Sequence, residues 1–225
     1  MSRERFEKLR QALHRRQPDM TVLADQVHKA QNISAVLRTA EAVGIGDIHL
    51  VKPDRGRVVY HNTAGGSGRF TRQIIHNTIE DGIQTLRTQG FTLYAAHWSA
   101  RAINYREADF TQPFALVLGS EKLGLSDYAA RETDAHLEIP MMGLVESYNV
   151  SVAAGIILQE ALRQRQEAGL YQREPVQDDN YHRVLFEWMQ PDMARFCKQH
   201  QLPYPALDED GDIIPPDDYR YRSPR

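Results

Sequence analysis

At 225 residues, with 41% hydrophobic and 25% charged residues, the chain has the composition of a soluble globular protein with room for one well-cored domain plus extensions. A single cysteine, Cys197, excludes an intrachain disulfide and a thiolate metal site, and no two of the nine histidines stand at HxxxH spacing, so metal catalysis is not expected. No apolar run reaches the roughly 18 residues of a membrane span, and the opening MSRERFEKLR lacks the apolar stretch of a cleaved signal, so no membrane association and a cytoplasmic protein are expected. The formal charge of −3 is unevenly spread: residues 174–225 carry 11 acids against 6 Lys or Arg, and residues 1–173 carry 19 against 21. That distribution permits an RNA partner without demanding one.

In chain order, residues 3–16 read as a helix closed by Gln17-Pro18-Asp19. Its cations (Arg3, Arg5, Lys8, Arg10, Arg15 and Arg16) suit either a phosphate-contacting arm or a solvated face with Glu–Arg pairing. Val22–Val27 reads as a strand. Asn32 is placed to cap a helix reaching Val43, with Ile33, Val36, Leu37, Ala40 and Val43 on one stripe. Ile48–Val51 reads as a strand, Arg55–Gly68 as a loop ending in GGSG, and Thr71–His76 as the next strand. Asn77 or Thr78 caps a helix up to Gln89, which Gly90 stops. Phe91–Ala96, Phe114–Leu118 and His136–Ile139 are strands, and Val150 to about Gly169 is a long helix. Short buried strands alternating with helices predict an α/β fold, a mostly parallel sheet with helices on both faces. Beyond it, Tyr181–His200 reads as one or two short helices broken at Pro191, and residues 203–225, with five prolines and many acids, as extended or disordered. The expected organisation is a basic helical extension over 1–20, a sheet domain over 21–169 and a C-terminal extension over 170–225.

Several familiar chemistries fail on spacing. Gly119 to Gly124 spans GxxxxG after a buried strand, but Leu125 and Ser126 stand where a phosphate loop needs Lys and then Ser or Thr. Neither GIGDIH nor AGGSGRF makes a dinucleotide fingerprint, no GxSxG is present, and DEDGD at 208–212 has its glycine too early for a calcium loop. What remains are three marked strand ends: Asn32–Ala40 (NISAVLRTA), Leu118–Leu125 (LGSEKLGL) and Ile139–Leu158 (IPMMGLVESYNVSVAAGIIL). The last places a loop carrying Gly143, Ser147 and Asn149 between a strand and an apolar helix, where open α/β sheets bind ligands, although Ser147 or Asn149 alone equally suits a helix cap. Arg38 sits off the apolar stripe of its helix.

These three segments, in this order, resemble the three motifs of the SpoU branch of the SPOUT RNA methyltransferases, and within it the tRNA (guanosine-18-2′-O)-methyltransferases. RRQPDMTV at 15–22, VHK at 27–29, YREADFTQP at 105–113 and SYNVSVA at 147–153 extend the likeness over residues 1–173. Beyond about residue 174 it is loose and rests on LPYP at 202–205.

The resemblance implies a sheet domain whose C-terminal third is tied into a trefoil knot, a topology that ordinary connection rules exclude. It implies methyl transfer from S-adenosylmethionine to a ribose 2′-hydroxyl, on a D-loop guanosine of tRNA; the same chemistry on ribosomal RNA or another tRNA nucleotide, and a non-catalytic RNA-binding role, are the alternatives. Carried over by position, the cofactor wall is Ala96, Gly119, Ile139, Leu144, Ser147, Tyr148 and Asn149. Ala96 and Tyr148 depart from the Thr and Leu common there, which removes a hydroxyl but leaves backbone contacts. Arg38 is the implied catalytic residue, positioned by Asn32. A free arginine is a poor base, so Arg38 either passes a proton to an RNA phosphate before accepting one from the hydroxyl, or orients phosphate and ribose for attack. Glu121 would brace its loop, and Arg15, Arg16, Arg163 and Arg165 would contact the RNA. A homodimer is implied; the apolar length of Val150–Leu162 suits an interface helix and suits plain core equally.

Overall fold

The computed structural model describes residues 3–27, 29–52, 70–120, 124–174, 176–216 and 221. They divide into two compact units, Arg16–Tyr171 and a second made of Met1–Arg15 with Gln172–Arg225.

The larger unit is built on seven strands: β1 (Met20–Ala24), β2 (Asp47–Val51), β3 (Arg72–His76), β4 (Thr92–Ala96), β5 (Ala102–Asn104), β6 (Phe114–Leu118) and β7 (Ala135–Glu138). Their order is β3-β2-β1-β6-β4-β7-β5 and every pairing is parallel. β1 (MTVLA) and β6 (FALVL) are buried at every position, as strands covered on both faces must be. Their side chains alternate between two cores. Met20, Val22, Ala24, Phe114, Leu116 and Leu118 face one, with α2 (Ala30–Ala42) and α5 (Val150–Glu167). Leu23, Ala115 and Val117 face the other, with α3 (Ile79–Thr88) and α4 (Asp127–Glu132). The late strands β6 and β7 are inserted between strands made earlier, an order compatible with the knotted topology that the resemblance implies.

Local chemistry sets the element ends. Thr78 caps α3 by accepting from Asp81 N, and Gly90, at φ +82°, follows its C-cap. Ser126 caps α4 through Ala129 N. Asn32 does not cap α2: the helix begins at Ala30 behind Lys29, which makes no side-chain cap bond, and Asn32 lies inside the first turn. β5 and α4 are absent from the sequence-based expectation, because three residues of strand and six of helix are too short to show a period. The predicted loop Arg55–Gly68 lies wholly outside the described residues.

In the smaller unit, α1 (Arg3–His14) packs on α6 (Asp179–Met189), which α7 (Pro191–His200) follows. Pro191 opens α7 at the first helical position, where its missing N–H costs nothing. His14 Nε2 and Tyr181 OH are 2.8 Å apart, and Phe186 stacks on Tyr204. The acidic stretch at 208–212 forms a turn: Asp208 Oδ1 accepts from Asp210 N and Asp212 N, and Gly211 at φ +77° packs where a Cβ would meet Met189 and Phe6.

His49 of β2 and His76 of β3 are buried, stacked and joined through Nδ1 and Nε2 at 2.7 Å. One ring donates and the other accepts, so the pair is neutral. Burial, then the neighbouring His76, pushes His49 from 6.5 down to about 4, and burial lowers His76 as well. The pair therefore contributes in full above the ordinary 6.5, and that contribution drains away as pH falls towards about 4. Urea unfolding of the wild type should show a falling midpoint across this window, and His49→Gln should flatten the decline; equal slopes would refute the assignment.

Candidate functional site

Parallel strands bring their carboxyl ends to one edge. Here β1 ends at Ala24-Asp25, β6 at Leu118-Gly119, β4 at Ala96-His97 and β7 at Glu138-Ile139. Ala96 pairs with Leu137, and His97 N donates to Leu137 O at 3.3 Å. Asp25 N donates to Leu118 O at 2.7 Å, and the buried Asp25 carboxylate accepts from Ser126 N at 3.1 Å, which ties the loop after β6 to β1. An acid directly after an apolar strand, as in MTVLAD, was the available signal for Asp25. Ser120 and Gly124 exchange backbone hydrogen bonds of 2.8 and 2.9 Å across that loop. Gly119 lies against it so closely that a Cβ would stand 2.3 Å from Gly124 C, so only glycine fits. Glu121 lies outside the described residues.

The segment from Pro140 to Tyr148 follows β7. Among the described residues its amides make no backbone–backbone hydrogen bond, so its donors and acceptors are open. Met142 and Leu144 stand 95% and 103% exposed, with Val145 and Tyr148 also in solvent, and Ser147 is exposed. Ile139 and Ala96, by contrast, pack partly into the core. Asn149 closes the segment and joins two of the motifs. Its Oδ1 caps α5 by accepting from Ser151 N at 2.9 Å, while its Nδ2 donates to Asn32 Oδ1 at 3.2 Å. Arg38 lies about 9 Å further along α2 than Asn32; it is exposed and makes no ion pair among the described residues. Uncommitted amides beside exposed apolar side chains at a strand-end edge suit a nucleoside-type cofactor.

The structure places the four arginines in different settings. Arg165 is 0% exposed, and its site lies at the amino edge of the sheet, away from the loops above. Its guanidinium donates to Gln17 Oε1 at 3.0 Å and Phe110 O at 2.9 Å and pairs with Asp19. A fully buried side chain with these partners is a structural brace, unavailable to RNA. Arg16 is likewise largely buried, donating to Ile45 O and to Phe70 O at 2.6 Å. Burial lowers its pKa, against the opposing pull of Glu41 and Asp47. Arg163 is exposed but held by Glu160 and Glu167, each at 2.7 Å, which raise its pKa. Arg15 is exposed. Helical spacing does separate Arg163 from Arg165: at roughly 100° per residue they point to opposite sides, and Arg165 falls four residues beyond Ala161 on the buried stripe of α5.

Residues 19–159 match the model of the SpoU rRNA Methylase family, and residues 163–216 match the SpoU, rRNA methylase, C-terminal model. The chain belongs to the SpoU methylase family. It is 41% identical over 215 residues to the tRNA (guanosine(18)-2'-O)-methyltransferase of Escherichia coli K12, covering 95% of this chain and 94% of that protein. Its structure resembles the crystal structure of the A. aeolicus TrmH/SpoU tRNA modifying enzyme with a TM-score of 0.76 at 34% identity, over 82% of this chain and 94% of that one. The AdoMet-bound rRNA methyltransferase from Sinorhizobium meliloti matches with a TM-score of 0.59 at 31% identity, over 66% of this chain and 61% of that one. Among the described residues, no SpoU-family helix here is long and apolar enough to cross a membrane, and no group of three or more His, Cys, Asp or Glu is placed to hold a metal ion.

Arg165→Leu strands Asp19, Gln17 and two carbonyls at once. It should lower unfolding free energy by about 3 kcal/mol, less than for a fully buried pair because Asp19 regains water. Denaturant titration of the variant reads this; an unchanged midpoint would sink the bracing role.

Proposed function

We propose that this SpoU-family chain transfers the methyl group of S-adenosylmethionine to the ribose 2′-hydroxyl of guanosine 18 in the D loop of tRNA. The observation that carries this reading is the junction of the first and third motifs through Asn32 and Asn149, at the edge where Gly119 and Ala96 end their strands. The near full-length likeness to an enzyme named for that reaction supports the substrate. The C-terminal match reaches the segment in which related enzymes of other substrates would be free to differ.

The residues that hold the cofactor are Ala96, Gly119, Ile139, Leu144, Ser147, Tyr148 and Asn149, chiefly through backbone groups of the open segment. S-adenosylmethionine supplies an electrophilic methyl on a sulfonium. Leu144 and Tyr148, exposed on the loop, shield apolar surface and exclude water around it. Asn149 holds the N-terminus of α5 and the start of α2 in fixed register. Arg38, exposed and without a carboxylate partner among the described residues, offers its fork to an RNA phosphate and the adjoining ribose. We favour positioning and charge over proton abstraction for Arg38, since both need only the fork that is displayed.

Arg15, in the basic N-terminal segment, supplies an exposed cation for tRNA, and the 1–20 and 170–225 extensions are RNA-binding additions to the 21–169 domain. The outer face of α5, with the exposed Val152 and the half-buried Ile156 beside Tyr105, is the apolar surface a second copy covers, giving a homodimer. The protein works in the cytoplasm, where tRNA is matured.

Purified protein with labelled S-adenosylmethionine should label a D-loop guanosine ribose in unmodified tRNA and leave ribosomal RNA unlabelled. Arg38→Ala should lower kcat about a hundredfold or more, and Arg38→Lys should recover little, because an ammonium lacks the fork. Label confined to ribosomal RNA would overturn the substrate. Sedimentation of the same preparation should give twice the chain mass, and a monomer at assay concentration would refute the α5 interface.

A further inference from the structure

Trp98 is 76% exposed on the loop that leaves β4, two residues beyond Ala96 at the carboxyl edge. Its neighbours His97, Ser99, Ala100 and Arg101 bring no other large apolar side chain. The loop that displays it is rigidly braced. Ser99 Oγ and His136 Nδ1 are 2.7 Å apart, Ser99 Oγ accepts from Arg101 N at 3.3 Å, and Ala102 N donates to Ser99 O at 3.0 Å. The Arg101 guanidinium reaches across to donate to Ala130 O and to Thr133 O at 3.3 Å. These bonds brace the loop on which the indole stands in water, which lowers the entropy cost of ordering that loop on contact.

The surroundings decide what such a face meets. Arg101 and Arg131 line a shallow concavity with Ala130 and Asp127, and neither arginine makes an ion pair among the described residues. The loop that displays the lone aromatic face thus also supplies Arg101 to a concavity where two arginines outweigh one acid, which matches a base and its phosphate, carrying a π surface and a negative charge together. An apolar protein partner would need aliphatic surface around the indole, and the loop has none.

The geometry points to Trp98 as a stacking platform for an unpaired base of the substrate tRNA, with Arg131 taking the adjoining phosphate. This rests on tRNA being the substrate, and it adds a specificity-determining contact outside the three motifs. Trp98 positions RNA and takes no part in the transfer itself.

The full chain tests it. Trp98→Ala should raise KM for tRNA about tenfold with kcat and S-adenosylmethionine affinity unchanged, and Trp98→Tyr should restore most of the loss. Trp188, the other tryptophan, is buried. Transfer RNA should therefore quench wild-type emission more strongly than that of Trp98→Phe. Arg131→Ser should reduce the slope of log affinity against log salt by about one. An unchanged KM in Trp98→Ala, or emission that ignores tRNA, overturns the proposal. So does a changed sedimentation mass, which would make Trp98 a contact between copies, or a loss of cofactor affinity, which would place it in the cofactor wall. Wild-type methylation of the D-loop guanosine, run alongside, separates these failures from a failure of the activity itself.

Discussion

Helix α5 is fastened at both ends, and the arrangement of the larger unit follows from that. At its N-terminus Asn149 caps the helix and reaches Asn32 in α2. About 24 Å further along its axis, Arg165 is buried among Gln17, Asp19 and the carbonyl of Phe110, residues that enter β1 and β6. Between the two fastenings, Ala154, Ile157, Leu158 and Ala161 fill the core against α2 and the central strands. A helix pinned this way cannot slide by a turn without breaking the half-buried Arg165–Asp19 pair at one end or a cap at the other. The loop before it inherits a fixed anchor while its own amides stay free.

The two edges of the sheet are consequently finished differently. At the amino edge, buried arginines spend their donors on protein oxygens: Arg165 on Gln17, Asp19 and Phe110, Arg16 on Ile45 and Phe70. At the carboxyl edge, loops 140–148 and 97–101 put apolar and aromatic side chains into water. Closing one edge with internal bonds holds the strands, so the other edge can carry open loops.

Much of this was legible in the sequence, and for identifiable reasons. MTVLA and FALVL are continuous apolar runs of strand length, which in an alternating chain mean parallel strands covered on both faces. Thr78 and Gly90 announced the ends of α3. The elements that escaped notice were short ones: β5, with three residues, and α4, with six. Asn32 was misread as a cap because its residue type suits that role, while its actual partner, Asn149, is remote in sequence. The resemblance carries Arg165 over as an RNA contact, whereas the structure buries it. A charged residue is ordinarily exposed, and nothing local to the helix reveals that Gln17, Asp19 and Phe110 converge on it. For the candidate site, order and spacing of motifs located the strand ends, whereas the contribution of each side chain depends on contacts across the sheet.

The smaller unit is made from the two extremities of the chain. Phe6 and Leu13 of α1 are synthesised before all seven strands, and Tyr181, Leu185 and Met189 of α6, which shares their compact unit, after them. Throughout translation of all seven strands, α1 therefore has an apolar stripe and no partner to cover it.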